Sequence, residues 1–111
     1  MKPYQIKIKQ GTSFHLVIEM KENDEFINLA DHTALMKVRQ DYHEAVLVEL
    51  TTENNRIKIN EAGTIELVLT AEETATFQFK EAIYDLLLTN SYLEVSCVIS
   101  GKFLVEKTVS K

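Results

Sequence analysis

Apolar residues recur at every second position along most of this chain, and that period constrains the fold more than any other feature. Side chains alternate faces along a β-strand, so a period of two lays one apolar row on one face of a sheet. The segment HTALMKVRQ sets Ala34, Met36 and Val38 against Lys37 and Arg39. Tyr4, Ile6 and Ile8 alternate with Gln5, Lys7 and Lys9, and Phe14, Leu16, Ile18 and Met20 form another row. Val46, Val48 and Leu50 are expected to share a face, and RIKIN and TIELVLT alternate likewise. The polar stretches KENDEFIN, DYHE and TENN separate these runs, and turns at intervals of roughly ten residues are the spacing of a sandwich or barrel. With 111 residues, 45% of them hydrophobic, the chain is expected to form a single domain, residues 1–111, with a core that needs no disulfide. The first and last strands are expected at sheet edges.

One segment departs from the period. In TAEETATF, Thr70 and Glu73 match a capping box, in which the Thr side chain bonds the amide three residues on and the Glu side chain bonds back. A short helical turn is predicted there, closing one end of the fold. The next run, AIYDLLLT, puts Tyr84, Leu86 and Leu88 inward and Asp85 and Leu87 outward. A tyrosine opening a strand after a helical corner has the position of the tyrosine corner of Greek-key sandwiches, whose hydroxyl ties down a connecting loop. Tyr84 and Asp85 therefore read as a structural corner, with no histidine or lysine at fixed spacing to make them an acid–base pair. Ser100-Gly101-Lys102 is expected to form a tight hairpin between LEVSCVIS and FLVEKTVS, with Cys97 on the face of Val95 and Ile99. The sum is an all-β, immunoglobulin-like antiparallel sandwich of about eight or nine strands with one short helical turn.

Candidate chemistry is sparse. The net charge of −5 disfavours binding to phosphate backbones, so no nucleic-acid partner is expected. MKPYQIKIKQ lacks the apolar stretch of a signal peptide, and no run approaches the roughly 20 apolar residues of a membrane helix. The single cysteine, Cys97, allows no internal disulfide, and a buried, inert thiol is its expected state. His15, His32 and His43 lack the spacing of metal ligands, and His15 is expected on the outer face of its strand. KENDEF lacks the calcium-loop pattern, and the three glycines stand too far apart for a phosphate loop. No catalytic residue, metal or cofactor is assigned, and the chain is not expected to be an enzyme. One surface feature stands out. By the same alternation Leu47, Val68, Leu87, Val98 and Leu104 point outward, and apolar patches on outer faces mark partner surfaces.

Several stretches together resemble small structural proteins of tailed phages and prophages. They are Arg56-Ile57-Lys58-Ile59, the strand from Ile65 to Thr70, the turn Ala71 to Ala75, the A-x-Y-D-L-x-L run from Ala82 to Leu88, and the segment Gly101 to Val105. The stretches G-T-S-F-H-L and A-L-M-K-V-R, the latter at 34–39, are similar too. The resemblance implies a compact β-sandwich in a tail, baseplate-like or head–tail assembly, with no catalytic residues to carry over. It implies other phage or prophage structural proteins and copies of this chain as partners, in the virion or in the cytoplasm of a bacterial host. The alternative is a carbohydrate-binding sandwich. The best exposed candidates for its sugar platform are Tyr42 and Tyr92, and two rings side by side on one open face would favour that reading.

Overall fold

The alternating runs become strands β1 (Lys2–Pro3), β2 (Ile6–Lys9), β3 (Phe14–Glu19), β4 (Lys21–Glu22), β5 (Glu25–Phe26), β6 (Thr33–Arg39), β7 (Val46–Thr51), β8 (Ile57–Asn60), β9 (Thr64–Leu69), β10 (Glu81–Thr89) and β11 (Val95–Glu106), with helix α1 (Ala71–Ala75) before β10. The computed structural model describes residues 2–110. The larger sheet runs β7-β6-β10-β11, and β1 and β2 both pair with the far side of β11, parallel to it. The smaller sheet runs β3-β9-β8 with antiparallel neighbours, and β4 and β5 form a hairpin of their own. The chain thus passes from the smaller sheet (β3) to the larger (β6, β7), back (β8, β9), and out again (β10, β11). That order, with parallel pairing of the first strands to the last, makes an all-β immunoglobulin-like sandwich.

The core forms where the two inner faces meet. Met36, Val38, Leu86 and Phe103 of the larger sheet and Ile57, Ile65, Leu67 and Leu69 of the smaller are all nearly or wholly buried. Each such side chain contributes about 1.5–3 kcal/mol relative to exposure. One end of the sandwich is filled by rings: Phe77, Phe79 and Tyr84 lie 6.2, 6.0 and 6.3 Å from the Phe103 centroid. Helix α1 closes that end, and its capping box is complete, with Thr70 Oγ1 accepting from the Glu73 amide and Glu73 accepting from the Thr70 amide. Buried Thr74 locks the helix to the β2–β3 turn, accepting from the Gly11 amide and donating to the Thr12 carbonyl.

Five expectations fail in the structure. There is no hairpin at Gly101: β11 is one continuous strand, and it lies inside its sheet rather than at an edge. The register between β10 and β11 passes from Leu86–Ile99 to Leu87–Cys97, so Val98 is the extra residue of a β-bulge. That bulge flips the faces: Cys97 pairs with outward Leu87, while Ile99 pairs with inward Leu86. A second bulge at Leu47 pairs Val46 with Arg39, leaving Val46 39% exposed rather than beside Val48 and Leu50. Tyr4 is 45% exposed in the interruption between β1 and β2, unlike Ile6 and Ile8 of the strand proper.

Candidate interaction surface

The outer face of the larger sheet carries cross-strand rows fixed by the register. Leu35, Leu87 and Cys97 form an apolar row, Lys37, Asp85 and Ser100 a polar one, and Arg39, Ile83 and Lys102 a mixed one. The β6–β7 loop folds against this face and brings Tyr42 and His43 to its side. The loop is braced: the Arg39 guanidinium donates to the Glu44 carbonyl at 2.5 Å, Gln40 Nε2 donates to the Glu81 carbonyl at 2.6 Å, and Asp41 accepts from the Tyr42 amide. Together these residues enclose an open depression of about 690 Å³. Its lining mixes apolar Leu35, Ile83 and Leu87 with the polar row of Lys37, Asp85 and Ser100 that runs between them, and Arg39 and Lys102 add positive charge in a chain of net charge −5. Lys102 also pairs with Glu81 at 3.4 Å, an exposed contact that contributes little.

The outward residues expected from the sequence do not gather into one patch. Leu87 lies in the floor of the depression. Leu47 is 41% exposed on β7, and half-buried Leu104 faces outward beside Glu81 and Lys7. Val68 also faces outward, but on the smaller sheet beside His15, on the opposite side of the molecule. Val98 is a correction: it sits in the β11 bulge and packs against the core. Leu35 and Ile83 belong to the surface and were legible by the same alternation, as the outward partners of Met36 and Tyr84. The bracing of Tyr42 and His43 over the face depends on loop geometry, for which the sequence carries no periodic signal.

Tyr84 is structural. Its ring is buried and its hydroxyl donates to the Tyr4 carbonyl at 2.6 Å. The tied segment is the interruption between β1 and β2, far away in sequence, rather than the neighbouring corner. Burial, then the nearby Tyr4 and Cys97, push the phenol well above its ordinary range, so it stays a donor. Gly101 lies opposite Tyr84, and a Cβ there would stand 2.6 Å from the Tyr4 oxygen. Asp85 is exposed on the outer face between Lys37 and Ser100 and caps no turn.

Cys97 bonds the Ile99 carbonyl through Sγ at 3.6 Å, and burial, then Asp85, raise its pKa, which holds it as the thiol. His15 is exposed as expected and pairs with Glu66 at 2.5 Å. His32 Nδ1 lies 2.9 Å from the Ala30 carbonyl. Among the described residues no three His, Cys, Asp or Glu side chains come together as a metal site, and no helix is long and apolar enough to cross a membrane. Tyr42 and Tyr92 are both largely exposed, but they stand at opposite ends of the sheet: Tyr42 follows the Arg39 end of β6, and Tyr92 follows the Thr89 end of β10, which pairs with Thr33.

No protein-family model matches the chain, and no curated protein matches it. Solved structures do. A structure from photo-crosslinking work on multimeric cell-adhesive interactions of VGSC β subunits aligns over 96% of this chain and 92% of that one, with 11% identity and a TM-score of 0.49. Extracellular domains 3–5 of Drosophila OTK align over 93% of this chain, with 17% identity and a TM-score of 0.35. This chain spans only 32% of that one.

Proposed function

We propose that this chain is a non-enzymatic assembly component that works by docking the outer face of its larger sheet against another protein. The observation that carries it is the depression itself, where apolar Leu35, Ile83 and Leu87 alternate along their strands with charged Lys37, Arg39 and Asp85, and Lys102 stands beside Ile83. Non-obligate protein–protein interfaces mix apolar and polar area in this way. Leu35, Ile83 and Leu87 are half-buried on neighbouring hydrogen-bonded strands, so little backbone conformational entropy is lost when a partner covers them.

The setting we infer is a phage or prophage particle, following the resemblance of the Ala71–Ala75, Ala82–Leu88 and Gly101–Val105 segments to tail proteins of that kind. The partner is then another structural protein of the particle. A carbohydrate platform built on Tyr42 and Tyr92 is not favoured, because the two rings stand at opposite ends of the sheet. Leu87→Asp tests the docking face. It puts a carboxylate in the floor next to Leu35 and Cys97 at a cost of about 1 kcal/mol to the fold. Particles produced with this variant should lack the chain although it folds. Incorporation at the wild-type level would overturn the proposal.

A further inference from the structure

The sandwich has four exposed sheet edges, and three of them are blunted. Edge strands offer unpaired amides and carbonyls to any passing strand, and proteins protect them with bulges, lysines, prolines, short lengths or covering groups. Edge strand β7 carries the bulge at Leu47, and its Glu49 carbonyl accepts from both Asn54 Nδ2 and Arg56. Edge strand β8 is only 4 residues long and includes Lys58. The β1–β2 edge is interrupted between Pro3 and Ile6, includes Pro3 and carries Lys7 and Lys9.

Strand β3 has none of these devices. FHLVIE runs 6 residues without Pro, Gly, Lys or a bulge, in unbroken register with β9. The Met20 amide bonds the Gly63 carbonyl, and the Val68 amide turns away to the Arg56 carbonyl. By the alternation of an antiparallel ladder, Phe14, Leu16 and Ile18 bond β9, while the amides and carbonyls of His15, Val17 and Glu19 point off the edge. Among the described residues no backbone bond meets them there. The β4–β5 hairpin leaves this edge open, since Phe26 packs onto Gly63 instead. The side chains match the backbone. Phe14, Leu16 and Ile18 face the core but are only half-buried, whereas their β9 partners Ile65, Leu67 and Leu69 are at most 1% exposed. Outward Val17 is 47% exposed.

We infer that β3 is a strand-addition edge whose occupant is β3 of a second copy, paired antiparallel about Val17 to join the two smaller sheets into one. Side-chain matching and the ladder together select the occupant and the register. With Val17 opposite its own counterpart, His15 of each copy, whose Nε2 already pairs with Glu66 of its own chain, lies opposite Glu19 of the other, and Leu16 faces Ile18 on the core side. All the outward amides and carbonyls of His15, Val17 and Glu19 are satisfied in that register. A slip by two residues would set polar His15 against apolar Val17 and lose both polar pairs. Six residues of edge are a small contact beside the roughly 1,200–2,000 Å² of a standard interface, so the dimer is reversible and concentration-dependent.

Sedimentation of the purified chain across a wide concentration range tests this. A monomer–dimer equilibrium is expected, and a monomer at every concentration overturns the inference. Val17→Pro removes an amide that points off the edge and leaves the β9 ladder intact, so it should abolish the dimer. Val17→Lys is the second variant, in case the proline perturbs the fold. It sets two ammonium groups opposite each other and should also give a monomer. A dimer that survives in either folded variant overturns the inference. Leu87→Asp should leave this dimer unchanged, which separates a failure here from a failure of the docking face.

Discussion

Tyr84 shows how one side chain organises a region far from it in sequence. The first strand passes β11 in two pieces, and the Tyr4 carbonyl at the break accepts the Tyr84 hydroxyl instead of a ladder amide. Tyr84→Phe keeps the ring and strands that carbonyl, so a loss of about 1–2 kcal/mol is expected, read as a lower denaturant midpoint with an unchanged slope. Gly101 makes the approach possible. Its φ of +152 lies outside the range of side-chain-bearing residues, and a Cβ would collide with the Tyr4 backbone rather than with a flexible side-chain end. Gly101→Ala should therefore cost about 1–3 kcal/mol, and wild-type stability for that variant would show that the Tyr4 backbone moves aside freely. The sequence disclosed the anchoring role of Tyr84 but not its partner. A hydrogen bond spanning 80 residues leaves no local pattern, and a glycine inside a strand looks the same as a glycine in a turn.

At the scale of elements, what was legible and what was not divides along hydrogen-bond range. The α1 cap was readable from Thr70 and Glu73 because both of its bonds close within one turn. Burial acts to raise the Glu73 pKa, but hydrogen bonds from the Thr70 amide and hydroxyl, and from Arg56, outweigh it and hold the carboxyl below its ordinary value. A carboxyl depressed in the folded state stabilises at pH above its unfolded value and loses that contribution as pH falls through the folded value. Glu73→Gln keeps a capping side chain but discards the charge. Its stability should fall below wild type by about 1 kcal/mol or less at neutral pH, and the gap should close in acid. A gap independent of pH would mean that the charge does not contribute. The bulges at Leu47 and Val98 were not legible. Each inserts one residue without disturbing composition or turn signals, so every facing before the bulge on that strand is inverted: Val46 turns outward, and Cys97 joins Leu87 rather than Ile99.

For the whole molecule, the alternation was enough to establish two apolar faces and hence the sandwich, but not which strands border solvent. That depends on strand order, a long-range property. The order places β11 inside the larger sheet and leaves β3 uncovered, so the two proposed contacts lie on different sheets. A small domain with a docking face on one sheet and a self-pairing edge on the other is suited to bridging neighbours in an assembly. The copy number of this chain in purified phage particles, by quantitative mass spectrometry against a labelled standard, tests that role most directly. We expect a fixed, non-zero number of copies per particle, even because the chain enters as a dimer. Particles free of the chain, with all of it left soluble in the lysate, would contradict an assembly role.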